Sequence, residues 1–182
     1  IELKTRRRLR VNGLITKVSK GQFKVSVEQA FPNCPKYIQN RVPKIIGSLK
    51  ELEKLKTFTG NISTGTKLKT EHIELIQQAD TFFVGSANPF YQEQEEQSDL
   101  VKFGCDASHR GGKPGFVQLV DELKLVIPDY KGNSMFNTLG NIRVYPQAGI
   151  SFVDFLKNRI LQLSGSARIL WEQEDRSNKT GG

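Results

Sequence analysis

Two segments near opposite ends of the chain share one alternating pattern of apolar and polar residues. In residues 8–16, RLRVNGLIT, apolar side chains occupy every second position up to a glycine, and residues 160–168, ILQLSGSAR, repeat this order with a glycine at the same place. A period of two predicts a β-strand that buries one face. The segments are an even number of residues apart, so the repeat keeps the same face, and it indicates two related domains in tandem.

Short apolar or alternating runs predict most of the remaining strands. They lie at residues 22–31, 81–87, 115–120, 123–128, 149–155 and 159–171. Tight hairpin connections are expected at Asp121–Glu122 and at Leu156–Asn158. Because these strands do not alternate with helices, we expect a mainly β protein with flanking helices, built as a small barrel or sandwich.

Helical signals occur at residues 32–43, within residues 47–69, at residues 70–79 and within residues 133–146, and residues 59–67 are expected to form a loop. Prolines bound the first of these segments at both ends. In the second, Ser48 and Glu51 have the spacing of a capping box. We expect Thr70 to cap the third helix, and Asn133 or Ser134 to cap a helical turn in the fourth segment.

The repeat predicts three regions along the chain. Residues 1–46 would be the C-terminal tail of a preceding, mostly absent domain, because the second copy of the repeat closes a domain. Residues 47–175 would form one complete domain, and residues 176–182 a disordered tail. The chain begins at Ile1 rather than at a methionine, which agrees with this expectation.

The composition narrows the class of protein. It is 37% hydrophobic and 25% charged, as in ordinary globular proteins. No apolar run approaches the roughly 20 residues that span a bilayer, so no membrane partner is expected. The two cysteines and two histidines have no metal-ligand spacing, so no metal site is expected. Few cysteines and no secretory signal favour a cytoplasmic location.

The positive charge is concentrated in the first third of the chain. Residues 1–60 contain 14 Lys and Arg against 4 Asp and Glu, whereas residues 61–182 contain 13 against 15. The densest run, KTRRRLR, could contact nucleic-acid phosphates. No aromatic residues are interleaved to stack on bases, however, and Arg8 and Arg10 also fit the solvated face of a barrel strand. Nucleic-acid binding is therefore the least favoured of the functions considered below.

Two polar segments, DASHRGGKPGF and DYKGNSMFNTLGN, interrupt the apolar framework. A glycine-rich turn beside Arg110 and Lys113 would let backbone N–H groups and cations approach one anion. A helix start at Asn133–Ser134 would present further N–H groups and the positive end of a helix dipole. Together they would suit a phosphate or a phosphorylated cofactor. The alternatives are an exposed hairpin for the first segment and a plain capping role for the second.

The sequence assigns no catalytic residue. Serines are frequent, but no GxSxG motif is present, and a single histidine such as His109 is more typical of a solvated or hydrogen-bonded loop than of a catalytic base. Asp154 lies in an apolar strand, ISFVDF, where a buried carboxylate needs a partner. A structural hydrogen bond at a barrel rim, or a dimer contact, would supply it.

Four motifs carry a resemblance to a known family. CDASHRGGKPGFV, IPDYKGNSMFNTLGNI, YPQAGISFVDF and LQLSGSARILW follow one another between residues 105 and 171. In this order they resemble the FMN-binding split-barrel family related to pyridoxamine 5′-phosphate oxidase, over about residues 70–175. RRRLRVNG and VEQAFPNCPKYIQNR resemble a segment of tandem-domain members of that family, which covers most of the remainder.

The resemblance implies a six-stranded Greek-key split barrel that works as a homodimer, with FMN in the groove between subunits. By this resemblance Ser108, Arg110 and Lys113 would lie on the strand and turn that line the flavin groove. Asn137 and Thr138, with Asn133 and Ser134 ahead of them, would stand where the family's oxidases grip the phosphate. The complete set of expected cofactor-binding residues is Ser108, His109, Arg110, Lys113, Phe116, Asn133, Ser134, Asn137 and Thr138.

The sequence also departs from the family's oxidases. Their phosphate-binding Arg-Lys pair is replaced by Asn137–Thr138, the lysine expected on the strand after Phe116 is missing, and no counterpart of their substrate-binding arginine and histidine is present. Fewer charge-assisted contacts would weaken phosphate binding unless Arg110 or Lys113 substitutes. The functions implied are an FMN-dependent oxidoreductase with an unidentified small-molecule donor or acceptor, or a flavin-binding or interaction module without turnover.

Overall fold

The structure is a computed structural model that describes residues 1–19, 22–42, 61–89 and 104–171. The chain divides into two compact units, one made of Ile1–Pro35 with Gln39–Leu68 and the other of Lys36–Ile38 with Lys69–Gly182. Strands account for most of the regular structure in the described ranges, which confirms the mainly β class. None of the helices in these ranges is long and apolar enough to cross a membrane. The expected domain boundary at residue 46, the predicted Ser48 cap and the tail at 176–182 lie outside the described residues.

The first unit contains an antiparallel ribbon of two strands, β1 (Arg8–Ser19) and β2 (Gln22–Asn33). Its register runs from Arg8 opposite Asn33 to Ser19 opposite Gln22, with irregularities after Asn12 and after Ile15. Both strands were predicted from their alternation. An extra residue at each irregularity restores the alternation of faces, so most of the apolar side chains remain on one side of the ribbon, with Leu14 and Phe31 on the other.

The helix predicted at residues 32–43 is wrong. Pro32 and Asn33 extend β2, where they pair with Leu9 and Arg8, and the described residues that follow form no helix. Pro32, one of the two prolines that suggested helix boundaries, lies near the end of a strand, where a missing N–H group costs little on an edge. Pairing with β1 therefore determines the structure of Pro32 and Asn33 more strongly than their local helical signal does.

The second unit contains two helices and six strands within its described ranges. In chain order they are α1 (Thr70–Gln78), β3 (Thr81–Asn88), β4 (Gly104–Gly111), β5 (Gln118–Asp121), β6 (Lys124–Val126), α2 (Asn137–Val144), β7 (Gln147–Asp154) and β8 (Arg159–Ser166). Strands β4, β3, β7 and β8 form one antiparallel sheet in that order, and β5 and β6 form a separate hairpin. The two predicted hairpin connections are confirmed.

A cluster of aromatic rings lies at the centre of the second unit. Phe82 of β3 and Phe152 of β7 are opposite each other in the sheet, with ring centroids 5.3 Å apart, and both are fully buried. Phe116 stacks on Phe82 at 5.7 Å. Ile76, which α1 contributes, is also fully buried. Burial of these large side chains is the main favourable term in the stability of this unit.

Neither helix begins at the cap that the sequence predicts. Thr70 is the first residue of α1 rather than its cap, and the backbone N–H of the true N-cap, Lys69, donates to His72 Nδ1 at 3.2 Å. Helix α2 begins at Asn137, after Phe136. Asn133 instead accepts a hydrogen bond from the Met135 N–H at 3.2 Å. A local Asn turn therefore competes with helix capping at this site.

Candidate functional site

The segment that the sequence presents as a glycine-rich loop is largely strand β4. It pairs with β3 along its whole length, with Arg110 opposite Phe82, Ser108 opposite Val84 and Asp106 opposite Ser86. Glycines and polar residues have low strand propensity, so the residues of β4 do not predict a strand. They form one because β3 provides a hydrogen-bonding partner. The turn begins only at Lys113.

Strand alternation divides the expected site residues between two faces of the sheet. Asp106, Ser108 and Arg110 share one face with Phe82. Helix α2 packs on that face, so we call it the helix-covered face. His109 points to the opposite face, where it is buried and its ring meets that of Phe83 edge-to-face at 5.8 Å. A ligand on the helix-covered face would therefore meet Ser108 and Arg110 without touching the His109 side chain.

An ion pair joins β4 to the second polar segment. Arg110 Nη1 donates to Asp129 Oδ1 at 2.8 Å, with the arginine half-buried and the aspartate exposed. The ring of neighbouring Tyr130 stacks against that of Phe116, with centroids 6.5 Å apart, and meets the ring of Tyr37 at a tilt, with centroids 5.3 Å apart. The two segments singled out by their polarity are thus neighbours in space.

A second contact between the two segments is buried. The Thr138 hydroxyl of α2 donates to the carboxylate of Asp106, and both side chains are buried. Asn141, one turn further along, donates through Nδ2 to Ser86 Oγ at 3.3 Å and to the Gly104 carbonyl at 3.4 Å. These bonds fix the beginning of α2 on the sheet and commit the Thr138 hydroxyl proton to Asp106.

The glycines after β4 make room for protein atoms. A Cβ at Gly111 would lie 2.2 Å from the Tyr37 carbonyl oxygen, and one at Gly112 would lie 2.6 Å from the Phe116 ring. Gly115 has a positive φ of 85°, which suits a turn. Phe116 is itself buried within the aromatic cluster. Gly111 and Gly112 therefore permit close packing within the unit.

Four of the expected ligand residues are exposed. Lys113 lies in the turn after Gly112, and Asn133, Ser134 and Asn137 lie at or just before the start of α2. Ser134 has a left-handed φ of 59°. Amide N–H groups in the first turn of a helix have no helical carbonyl partner, so this end of α2 can donate to an anion. Together with Arg110 and Ser108, these donors fit a phosphate group chemically.

Asp106, Asp129 and Tyr130 were not among the site residues expected from the sequence. Asp106 shares its face with Ser108 and Arg110, which the alternation DASHR would have indicated once this segment was read as a strand. No sequence signal connects Asp129 to Arg110. Within the described part of the chain, no three His, Cys, Asp or Glu side chains are grouped so that they could hold a metal ion.

Asp154 has the structural partners that the sequence analysis expected. Its Oδ1 accepts hydrogen bonds from the backbone N–H groups of Leu156 at 3.1 Å and Lys157 at 2.9 Å, and Arg159 Nη2 donates to its Oδ2 at 2.9 Å. The Lys157 N–H, followed by the Arg159 side chain, holds the pKa of Asp154 below its ordinary value of 3.8. This carboxylate closes the β7–β8 hairpin.

Comparisons with models of protein families, with curated proteins and with solved structures gave no match to this chain. The motifs, and the contacts of Arg110 with Asp129 and of Asp106 with Thr138, are therefore the basis on which a function can be inferred.

Proposed function

We propose that the chain is an FMN-binding flavoprotein of the split-barrel type related to pyridoxamine 5′-phosphate oxidase, and that its second unit binds the flavin. One observation carries this proposal: the two motif segments are joined twice, by Arg110 with Asp129 and by Asp106 with Thr138. Motifs that form one cofactor site must meet in space, and these do. In this proposal the four-stranded sheet and the β5–β6 hairpin supply the six strands of a Greek-key barrel, which dimerises around the flavin in the cytoplasm.

The phosphate of FMN would be held by cations and hydrogen-bond donors around β4 and α2. Arg110 and Ser108 would donate from the helix-covered face, and Lys113 would contribute a further positive charge. Asn133, Ser134 and Asn137 would add donors where α2 begins. FMN itself supplies electron transfer when bound, and the protein's contribution is to position it and control access to it.

Asp129 competes with the phosphate for Arg110. An exposed ion pair contributes only about 0–1 kcal/mol, because water screens it and two side chains must be ordered. A phosphate dianion can accept two parallel hydrogen bonds from one guanidinium, which is a stronger arrangement. Binding would therefore exchange the Asp129 contact for a phosphate contact, while Asp129 positions the guanidinium when the cofactor is absent.

A flavin-binding module without turnover is the second candidate. Thr138 occupies part of the position of the oxidases' Arg-Lys pair, and its hydroxyl proton is committed to Asp106. The phosphate would therefore have fewer charge-assisted donors than in those enzymes, and no residue is assigned to substrate recognition. Stoichiometric flavin without reductase or oxidase activity would select this candidate over an oxidoreductase.

We do not propose nucleic-acid binding. Arg8 and Arg10 were expected on the solvated face of a barrel strand, but both are half-buried, whereas the neighbouring Leu9 and Val11 are exposed. Arg8 also donates to the Cys34 carbonyl at 3.3 Å. The arginines of β1 are therefore partly occupied within the first unit and are poorly placed to follow a phosphate backbone.

Retained flavin tests the proposal directly. The purified chain is saturated with FMN, dialysed, and its bound flavin is measured by absorbance per chain. We expect close to one flavin per chain, and at least tenfold weaker binding in the double variant Arg110→Ala with Asn137→Ala. Lys157→Ala, which removes a cation from the β7–β8 hairpin, is the matched control and should bind as the unmodified chain does. No retention by the unmodified chain, or equal losses in both variants, would contradict the proposal.

A further inference from the structure

Apart from Thr16 and Glu28, the unpaired residues at its two irregularities, the β1–β2 ribbon has one apolar face. The register places directly opposed residues on the same side, and the two irregularities preserve this side along both strands. We call this side the apolar face. Its side chains are Leu9, Val11, Ile15, Val18, Phe23, Val25, Val27, Ala30 and Pro32.

The ribbon exposes the face that a sheet ordinarily buries. Six large side chains of the apolar face are exposed, from 48% for Val11 to 74% for Val18, and Val25 is half-buried. On the other face, Arg8 and Arg10 are half-buried. Antiparallel sheets with one solvated face normally turn the apolar side chains inward, and a two-stranded ribbon on its own is marginally stable in water. The apolar face therefore needs a covering surface.

We propose that the apolar face of one chain docks on the apolar face of a second copy. Its six most exposed side chains together have an accessible surface on the order of 600 Å². Each partner in a stable interface contributes about 800 Å², which is a similar area. Two such faces would pack as the layers of a β-sandwich do, about 10 Å apart. Each chain contributes one identical patch, as a two-fold symmetric dimer requires.

The distribution of charge favours a second copy as the occupant. The cations of the ribbon, Arg8, Arg10, Lys17 and Lys24, all lie on the side away from the apolar face. Two ribbons can therefore meet face to face without bringing like charges into the interface. Glu28, at the irregularity in β2, has no Cα partner and is the one charged residue of the paired strands that the register assigns to neither face. A patch free of cations is best complemented by another apolar sheet face, because any polar group buried there would lack a hydrogen-bond partner.

The ribbon interface belongs to the first unit and does not depend on flavin binding. The first test compares the assembly state of three full-length chains by sedimentation velocity over a dilution series. Ile15→Lys places a charge on the apolar face, and Leu14→Lys is its matched control, because Leu14 is an equally large residue, 50% exposed, on the opposite face of the same strand. We expect Ile15→Lys to weaken self-association at least tenfold and Leu14→Lys to leave it unchanged.

Flavin retention and thermal unfolding are measured on the same samples. They show whether weaker self-association results from the ribbon, from loss of flavin or from unfolding. Unchanged flavin retention in Ile15→Lys, together with weaker association, supports a ribbon interface that is independent of the flavin groove. A chain that is monomeric before substitution, or two lysine variants that associate equally, overturns the inference whatever the flavin result.

Cysteine cross-linking keeps the proposal testable if Ile15→Lys fails to fold. In a background of Cys34→Ser and Cys105→Ser, single cysteines replace Val11, Ile15, Val25 or Val27 on the apolar face, or Leu14 and Ser26 on the other. We expect oxidation to link at least one apolar-face variant into covalent dimers tenfold faster than either control. Equal rates on the two faces would show that some other surface covers the ribbon, and would overturn the proposal.

Discussion

Arg110 Nη1 lies 2.8 Å from Asp129 Oδ1, so the half-buried cation of β4 already has a partner in the segment that precedes α2. The two residues are nineteen positions apart in the sequence, and the β5–β6 hairpin lies between them. The pair therefore links the end of β4 to the residues that follow the β5–β6 hairpin. Because Asp129 is exposed, the pair contributes little to stability, and its main effect is to hold the guanidinium beside the start of the proposed phosphate site.

Replacing Asp129 by Asn should strengthen FMN binding. The substitution removes a carboxylate that competes with the phosphate for Arg110, so we expect a severalfold lower Kd and a loss of unfolding free energy below about 1 kcal/mol. Titration of flavin fluorescence measures the first quantity, and urea unfolding measures the second. Asp121→Asn, at an exposed hairpin carboxylate, is the control. Weaker binding in Asp129→Asn, comparable with that of Arg110→Ala, would exclude competition between carboxylate and phosphate.

Thr138→Val should destabilise the second unit, because it replaces the buried hydroxyl that donates to Asp106 with a methyl group of similar size. Loss of a hydrogen bond to a buried charged group costs about 1–3 kcal/mol. Thr138→Ser keeps the hydroxyl and should recover most of the loss, apart from the missing methyl group. Urea unfolding of the three chains measures the difference. Equal stabilities of the Val and Ser variants would show that the Asp106 contact contributes nothing.

Strands with their own apolar pattern could be predicted from the sequence, whereas a strand that depends on its neighbour could not. β1, β3, β7 and β8 were evident from alternation, because each has apolar side chains on at least one face. β4 has none except Ala107 and Cys105, and its polar residues and glycines look like a loop. It becomes a strand because β3 provides a complete row of backbone partners. That information is not contained in the segment itself.

The candidate site shows the same limit. Its donors could be chosen from residue type, since Arg110, Lys113 and the residues near the start of α2 all suit an anion. The pairing of Asp106 with Thr138 could not be predicted from residue type. The two residues are thirty-two positions apart, and their contact depends on how α2 docks on the sheet. His109 was grouped with Ser108 and Arg110 among the expected ligand residues, but strand alternation places its side chain on the other face.

Two glycine substitutions should have opposite effects on stability. In Gly111→Ala the new methyl group would lie 2.2 Å from the Tyr37 carbonyl oxygen, and such overpacking against backbone costs about 1–3 kcal/mol or more. A methyl group added at Gly140, within α2, would meet no atom within 4 Å, so Gly140→Ala should add about 0.5–1 kcal/mol through helix propensity. Thermal unfolding measures both changes. A neutral Gly111→Ala would mean that Tyr37 does not pack there in solution.

Asp154→Asn should destabilise the chain at neutral pH but not in acid. The hydrogen bond from the Lys157 N–H and the contact with Arg159 lower the pKa of Asp154 in the folded chain below its unfolded value. A carboxyl with a lowered folded pKa adds stability above its unfolded pKa and loses that stability as the pH falls through the folded value. The unfolding free energies of the two chains should therefore differ at pH 7, by about 1 kcal/mol, and converge towards pH 2.

Asp121→Asn, at the other hairpin, controls for loss of a hydrogen bond to backbone, because Asp121 accepts from the Leu123 N–H without a paired arginine. A difference that stays constant from pH 7 to pH 2 would show that the ionised carboxylate is not what stabilises the β7–β8 hairpin.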